Sequence, residues 1–233
     1  MFVYNALMRV GTKIRSFVVL TVLLSYIVAS SVISWPVLIN PTLRSNYTLL
    51  LAHWRSKLIR PSYVFIGDSM VASGGIWGWR LGYDPLSAIN LGENRLRTHQ
   101  IAIRATLAAK YRPDVIVVMA GTNDAIQTDR SGEFDEARLR EAWQDIFSAA
   151  GSTRVIVTLA PFTDNPAFNR RIAEINYLVE SYVANRHVTV IDLNPDIAPK
   201  GVIEPRYTVD GVHFTDAAYI IWARKLNAAL HAH

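Results

Sequence analysis

Short apolar runs alternate with longer amphipathic segments from residue 61 to the C-terminus. Runs of about four to eight residues rich in Val, Ile and aromatic residues are typical of buried strands. The pattern predicts five strands, at residues 63–66, 88–91, 115–119, 154–159 and 188–191. It predicts helices near residues 99–110, 135–150 and 167–184, and a last helix from Asp216 to about Leu230.

The regular alternation of strands and helices predicts an α/β fold. Strands separated by helix-length segments are joined by right-handed crossovers and form a parallel sheet that is covered on both faces. We therefore expect a three-layer α/β/α domain with a five-stranded parallel sheet. The commonest arrangement for five such strands is the flavodoxin-like order 2-1-3-4-5, which we take as the prediction.

The N-terminal region contains a different apolar pattern. Residues 16–35 form twenty consecutive positions without a charged side chain. A helix of about that length spans the roughly 30 Å hydrocarbon core of a bilayer. We predict an uncleaved transmembrane anchor, because the run continues to Trp35, past the small residues Ala29-Ser30-Ser31 that could form a signal-peptide cleavage site. The alternative is a cleaved signal peptide and a secreted protein.

The charges around this run predict its orientation and the domain boundaries. Arg9, Lys13 and Arg15 precede the run, and the positive-inside rule keeps such a flank in the cytoplasm. We expect residues 1–15 to be a cytoplasmic flank, residues 36–60 a connector, and residues 61–233 a catalytic domain outside the cytoplasm, in the periplasm or at the cell surface. The membrane is then a partner through the N-terminal helix.

Composition excludes several classes of function. The net charge of +5 belongs to the N-terminal region, because residues 1–60 hold seven basic and no acidic residues. The other 17 basic and 19 acidic residues give the remainder a net charge of −2, so we expect no nucleic acid partner. The chain has no cysteine, which excludes disulfides and thiolate chemistry. No metal site and no cofactor are predicted, and the oligomeric state is left open.

Polar motifs follow the first three predicted strands, and a fourth precedes the last helix. They are Gly67-Asp68-Ser69, Asn90-Leu91-Gly92, Gly121-Thr122-Asn123-Asp124 and Asp210-Gly211-Val212-His213. Each motif alone could be a helix cap or a turn, and we expect Asp68 and Asp124 to bond their own turns. Because the carboxyl ends of parallel strands share one edge of the sheet, the motifs together predict one site.

Nucleophilic catalysis needs these residue types. A serine hydroxyl is a weak nucleophile that requires a base, so Ser69 would be the nucleophile and His213 the base. Asp210 lies on the same short loop as His213 and would hold its imidazole in one tautomer. The oxyanion of a tetrahedral intermediate would be bound by the backbone N–H groups of Ser69 and Gly92 and by the side-chain amide of Asn123.

These motifs resemble the SGNH hydrolase superfamily, the GDSL esterases and lipases. The four residues of the name would be Ser69, Gly92, Asn123 and His213, and the resemblance spans about residues 63–230. It implies a serine carboxylic ester hydrolase. The sequence departs from the pattern at Met70, where leucine or isoleucine is usual. It departs again after Gly92, where the charged run 93–97 replaces small residues and a second glycine.

Three residues near these motifs are candidates for substrate binding: Trp77, Trp79 and Arg95. Aromatic faces and charged donors suit a sugar or another polar acyl carrier better than a long lipid chain. We expect the substrate to be a short acyl ester, acetyl in particular, on a cell-envelope polysaccharide. Alternatives are an O-acyltransferase that uses the same three residues, a lipase or lysophospholipase, and a non-catalytic binding module.

Overall fold

The computed structural model describes residues 60–131, 135–184, 186 and 188–232. Among these residues, five parallel strands form one sheet in the order β2-β1-β3-β4-β5. The strands are β1 (Tyr63–Gly67), β2 (Ala88–Asn90), β3 (Val115–Met119), β4 (Arg154–Thr158) and β5 (Thr189–Ile191). Tyr63 pairs with both Ala88 and Val115, which places β1 between β2 and β3. The predicted sheet, its direction and its strand order are confirmed.

Eight helices accompany the sheet in the described part of the chain. They are α1 (Ser69–Ser73), α2 (Trp77–Arg80), α3 (Thr98–Lys110), α4 (Thr122–Ser131), α5 (Glu136–Ala150), α6 (Pro166–Val183), α7 (Asn194–Ile197) and α8 (Asp216–His231). Short 3₁₀ turns lie at Pro85–Ser87 and Pro205–Tyr207. Helices α3, α5, α6 and α8 correspond to the four predicted helices.

The two faces of the sheet bury different helices. Alternate strand residues such as Phe65, Val117 and Ile156 join α1, α2 and α8 in one core cluster. Because side chains alternate along a strand, their neighbours face the opposite layer, where α3 contacts β1 and β3 and α5 contacts β4. Every residue of β3 is buried, as expected for a strand covered on both faces. The three-layer α/β/α architecture is therefore confirmed.

The short helices differ from the sequence prediction. The motif at residues 121–124 contains the start of a helix that was not among the predicted ones, because Thr122 begins α4 directly after Gly121. Helices α1, α2 and α7 have only four or five residues, which is too short for a helical hydrophobic period to show. Helix α1 begins at the predicted nucleophile, Ser69.

Within the part of the chain that the structure describes, no helix is both long and apolar enough to cross a bilayer. The span predicted at residues 16–35 and the flank at residues 1–15 lie outside the described residues. Only Arg60 of the predicted connector is described; its guanidinium forms an ion pair with Asp114, just before β3.

Candidate active site

Ser69 lies where β1 gives way to helix α1. Asp68 is the N-cap of this helix, and its Oδ1 accepts a hydrogen bond of 3.0 Å from the backbone N–H of Met70. As the first residue of the helix, Ser69 has a backbone N–H without an intrahelical acceptor. Its residue surface is 9% exposed, so the hydroxyl lies at the floor of the crevice beyond the sheet.

The structure brings together the three residues predicted to act as nucleophile, base and orienting carboxylate: Ser69, His213 and Asp210. The Nε2 atom of His213 lies 2.9 Å from Ser69 Oγ, and its Nδ1 atom lies 2.6 Å from Asp210 Oδ2. An ionised carboxylate only accepts hydrogen bonds, so it holds the neutral imidazole with its proton on Nδ1. Nε2 is then free to accept the proton of Ser69.

The loop that carries the base is braced by its own side chains. Asp210 Oδ1 accepts hydrogen bonds from the backbone N–H groups of Val212 and His213, at 3.0 and 2.8 Å. The carbonyl of His213 accepts from Val209 N–H and from the hydroxyl of Thr208. Asp210 therefore shapes the backbone of this loop with one carboxylate oxygen and orients the imidazole with the other.

The surroundings keep Asp210 ionised. Partial burial alone would raise its pKa, but the backbone and side-chain hydrogen bonds from His213 and the backbone bond from Val212 outweigh it. The net effect is a pKa below the usual value of 3.8. Asp210 thus remains a negatively charged acceptor at neutral pH, as its partnership with the imidazole requires.

Asn123 lies in the first turn of α4, at the carboxyl end of β3. Its side-chain Nδ2 donates a hydrogen bond of 3.1 Å to the carbonyl of Leu96, which holds the amide against the loop after β2. An amide nitrogen carries two N–H groups, so a second one remains for a ligand. The helix N-terminus itself also favours developing negative charge.

Gly92 has a structural role in addition to its predicted one. Its backbone N–H, predicted to bind an oxyanion, donates in this structure to Asn90 Oδ1 at 2.9 Å. An ideal Cβ at this position would lie 2.4 Å from the backbone nitrogen of Ala72, which is far too close. In this structure the glycine therefore lets the loop after β2 lie directly on α1, and the donation to an oxyanion remains a prediction.

Asn90 is a site-organising residue that the sequence analysis did not single out. Its Nδ2 lies 2.9–3.2 Å from the carbonyls of Val71, Ala72 and Gly75, at the end of α1. Its Oδ1 binds Gly92 N–H, so one side chain joins the helix of the nucleophile to the neighbouring strand. The available signal was an amide residue at the last position of an apolar strand.

Tyr219 fixes the same helix from the other side. Its hydroxyl donates to the carbonyl of Met70 at 2.7 Å, although the two residues are 149 positions apart. Burial of the ring and of the hydroxyl raises the pKa of Tyr219, so it remains a neutral donor. No local sequence pattern could have identified this contact.

The two tryptophans predicted to bind substrate are separated by the fold. Trp77 is 1% exposed and stacks on Phe65 with ring centroids 4.3 Å apart, so it belongs to the core and its expected substrate role is wrong. Its indole N–H donates to the carbonyl of Val71. Trp79, two residues further along α2, is 64% exposed and has its ring surface available to a ligand.

Arg95 is exposed on the loop between β2 and α3. Its backbone φ of +67° lies in the left-handed region, which costs a residue with a side chain about 1–2 kcal/mol. Such backbone strain is concentrated at functional sites when the surroundings enforce it. The neighbouring Leu96 carbonyl binds Asn123, so this loop forms part of the crevice wall.

Two acidic residues beside the motifs have different roles. Asp68 bonds its own turn, as expected, but it is fully buried and its Oδ2 atom has no hydrogen-bond partner in the described structure. Burial is the main cause that raises its pKa to about 7. Asp124 Oδ2 accepts from the backbone N–H and hydroxyl of Thr98, linking α4 to the start of α3.

Comparison with known proteins places this site in context. The model of the GDSL-like lipase/acylhydrolase family matches residues 65–221, which include Ser69, Asn123, Asp210 and His213. The curated proteins include no significant match to the sequence.

Solved structures of the same architecture are similar at low sequence identity. A GDSL-like lipase from Bacteroides thetaiotaomicron is 21% identical, with a TM-score of 0.65 over 78% of this chain and 96% of its own. An acetylxylan esterase from Geobacillus stearothermophilus is 16% identical, with a TM-score of 0.60 over 73% and 94%. A lipase/acylhydrolase from Enterococcus faecalis is 23% identical, with a TM-score of 0.56 over 72% and 96%. These likenesses establish the shared fold.

Proposed function

Starting from the fact that this chain belongs to the GDSL-like lipase/acylhydrolase family and is a carboxylic ester hydrolase, we propose that it removes short acyl groups, acetyl in particular, from a cell-envelope polysaccharide. The reaction proceeds through an acyl-enzyme on Ser69. The observation that carries the catalytic part is the continuous hydrogen-bonded line from Ser69 Oγ through His213 to Asp210.

The proposed chemistry uses each atom of this line. His213 Nε2 takes the hydroxyl proton as Ser69 Oγ bonds to the ester carbonyl carbon, and Asp210 stabilises the imidazolium. The carbonyl oxygen becomes an oxyanion beside Ser69 N–H and the Asn123 amide. Its collapse breaks the bond to the alcohol, which leaves with the proton from His213. Water then attacks the acyl-enzyme with His213 again as base and releases the acid.

The saccharide assignment rests on two exposed residues, on the segments that follow β1 and β2. Trp79 offers an open aromatic face, and Arg95 carries an exposed guanidinium on the loop that contacts Asn123. Flat aromatic faces and planar donors suit sugar rings and their polar substituents. The acetylxylan esterase from Geobacillus stearothermophilus shares this fold, and acetylxylan is an acetylated polysaccharide, which supports this substrate class.

The location follows from the sequence of the N-terminal region. Residues 16–35 are uncharged over the length of a membrane span, and Arg9, Lys13 and Arg15 precede them. We therefore place the ester hydrolase outside the cytoplasm, tethered to the membrane by an uncleaved anchor. At that location the enzyme would reach a polymer of the cell envelope, and the polymer would not need to enter the cell.

The test combines labelling and substrate preference. The full-length protein and its Ser69→Ala variant are treated with a fluorophosphonate, and the labelled peptide and mature N-terminus are identified by mass spectrometry. We expect one label, on Ser69, and an intact N-terminus that still contains residues 16–35. A label on another residue, or no label on folded protein, would overturn the assignment of the nucleophile. An N-terminus near Ser31 would replace the anchor by a cleaved signal peptide.

A panel of p-nitrophenyl esters then tests the acyl preference. We expect a higher kcat/KM for acetate than for chains of about eight carbons, because the longer chain needs a long apolar channel to bind and the acetyl group does not. Equal or better turnover of the long chains would contradict the proposal and favour a lipase. Acylated acceptor sugar in place of free acid would favour an acyltransferase.

A further inference from the structure

Three buried asparagines bind one short stretch of backbone beside the active site. The stretch follows β4 and comprises residues 160–164; we call it the β4–α6 segment. Asn169, Asn176 and Asn194 are 5–7% exposed, although asparagine is usually found at the surface. Their side-chain amides form hydrogen bonds to the backbone of this segment and not to one another, so all three hold the same segment.

The hydrogen bonds account for most backbone groups of the segment. Asn176 binds both the N–H and the carbonyl of Ala160, each at 2.9 Å. Asn194 Oδ1 accepts from Phe162 N–H at 2.7 Å. Asn169 Oδ1 accepts from Thr163 N–H at 2.7 Å, and its Nδ2 donates to the carbonyls of Thr163 and Gly201. A primary amide offers a donor and an acceptor in one plane. Each side chain therefore satisfies backbone groups of the segment that a neighbouring strand would otherwise bind.

The segment in turn contacts the loop of the catalytic base. The backbone N–H of Asp164 donates to the carbonyl of Gly211 at 2.8 Å. Gly211 has a φ of +88°, and an ideal Cβ there would lie 2.2 Å from the carboxylate carbon of Asp164. The two backbones are therefore hydrogen-bonded at Gly211, between Asp210 and His213. A side chain at position 211 would overlap the carboxylate of Asp164.

Few other hydrogen bonds hold the loop of the catalytic base. Among the hydrogen bonds of the described residues, only two join the 208–213 loop to other elements: Asp164 N–H to Gly211, and His213 to Ser69. The remaining bonds of the loop lie within residues 204–215. Phe214, directly after the loop, packs on Tyr219 and Trp222 of α8, so apolar packing holds the end of the loop and the β4–α6 segment holds it at Gly211.

From this arrangement we infer that Asn169, Asn176 and Asn194 are positioning residues for the catalytic base: through the β4–α6 segment they set the place of Gly211 and hence the distance from His213 to Ser69. The inference rests on the proposed role of His213. It adds a function for three amides that touch neither the nucleophile nor the imidazole. Their effect on the reaction is to keep the base within hydrogen-bond reach before substrate arrives.

The test replaces the donor of one amide while keeping its acceptor. Asn169→Asp retains Oδ1 for Thr163 but turns a carboxylate oxygen toward the carbonyls of Thr163 and Gly201, which repel it. We expect kcat for p-nitrophenyl acetate to fall by about tenfold to a hundredfold, the scale of a small misplacement of a reacting group, with KM nearly unchanged. The downfield ¹H NMR signal of the His213 Nδ1 proton should shift or broaden.

Asn227→Asp is the matched control. Asn227 is half-buried on α8, and its Nδ2 also donates to a backbone carbonyl, that of Leu81, at 3.1 Å. It has no bond to the β4–α6 segment. Both variants are unfolded in urea, and we expect both to lose stability while only Asn169→Asp loses kcat and changes the His213 signal. Equal kcat in the two folded variants, with an unchanged His213 signal, would overturn the inference.

A second pair keeps the inference testable if Asn169→Asp does not fold. Asp164→Pro removes the N–H that binds Gly211, whereas Asp164→Ala removes only the exposed carboxylate. We expect Asp164→Pro to be at least about tenfold slower than Asp164→Ala. Equal rates would overturn the inference. Labelling of Ser69 by the fluorophosphonate in the wild-type protein remains a separate result, so failure of this inference is distinguishable from failure of the proposed function.

Discussion

At the scale of single residues, the site depends on one carboxylate whose two oxygens bind different partners. Asp210 uses Oδ1 to bind two backbone N–H groups of its own loop and Oδ2 to bind the imidazole of His213. About half of its side-chain surface is exposed, so its contribution to folding stability is limited by screening. Its contribution to catalysis is the tautomer it imposes, which no solvent molecule can reproduce with the same geometry.

Asp210→Asn tests the separate roles of the two oxygens. The amide oxygen can still accept from the loop backbone, but the amide nitrogen then faces Nδ1 and favours the tautomer with its proton on Nε2. That ring cannot accept the proton of Ser69. We expect kcat/KM to fall by at least about a hundredfold and by as much as about ten-thousandfold, the loss caused by the same change in serine proteases.

The measurement is kcat/KM across pH for the wild type and for Asp210→Asn, with circular dichroism to show that both are folded. A folded Asp210→Asn variant with wild-type kcat/KM would show that another group orients His213.

At the scale of secondary-structure elements, the nucleophile is held by contacts between β2 and α1. Asn90 binds three carbonyls at the end of α1, while Gly92 lets the loop after β2 approach within contact distance of Ala72. Tyr219 of α8 binds the Met70 carbonyl from the opposite direction. The helix that begins at Ser69 is only five residues long, so these neighbours supply the rigidity that its own hydrogen bonds cannot.

Gly92→Ala tests the contact between the two elements. The new methyl group would overlap the backbone of α1, and relief requires the loop or the helix to move. We expect a loss of about 1–3 kcal/mol in the free energy of unfolding, typical of overpacking, together with slower labelling of Ser69 by a fluorophosphonate.

Gly151→Ala provides the control for this change. Gly151 follows α5 at the opposite edge of the sheet, with a φ of +58° and no atom within 4 Å of an ideal Cβ. The alanine there strains the backbone and lowers stability by about 1–3 kcal/mol without touching the crevice. Unchanged labelling in Gly92→Ala, at a stability loss equal to that of Gly151→Ala, would show that the contact has no role in the site.

At the scale of the whole molecule, the fold buries one carboxyl that it does not fully bond. Asp68 is 0% exposed, and only one of its two oxygens has a hydrogen-bond partner among the described residues. Burial raises its pKa from 3.8 to about 7, with a further increase from Asp124 and opposing effects from the Met70 N–H and from His213. The folded protein therefore retains a proton that the unfolded chain releases.

This linkage predicts a pH dependence of stability. Between pH 3.8 and about 7, the folded state binds the proton of Asp68 and the unfolded state does not. The contribution of this group to the free energy of unfolding is therefore fully present below pH 3.8. It decreases as pH rises, by up to about 1.4 kcal/mol per pH unit, and is lost above about pH 7.

Urea unfolding of the wild type and of Asp68→Asn at several pH values between 4 and 8 measures this contribution. The asparagine keeps the acceptor for Met70 N–H and cannot ionise. We expect the difference in stability between wild type and variant to shift against the wild type as pH rises toward about 7. Parallel profiles would mean that Asp68 does not change its protonation on unfolding.

The amino-acid sequence by itself determined the sheet, its strand order and the edge at which the chemistry lies. Apolar runs such as 115–119 must be buried, and short connections through helices allow few topologies. The same logic placed Ser69, Asp210 and His213 at one edge, where the structure brings their side chains together. These inferences use local patterns and general rules of chain connection, so they do not require a three-dimensional structure.

Only the tertiary structure decided which of two similar side chains faces the core and which faces solvent. Trp77 and Trp79 lie two residues apart on a helix of four residues, yet α8 and β1 bury the first and leave the second exposed. Likewise, Gly92 N–H binds Asn90, and Asn176 and Asn194 bind Ala160 from 16 and 34 positions away. Such outcomes depend on the packing of distant elements, and a local period of hydrophobic and polar residues carries no information about that packing.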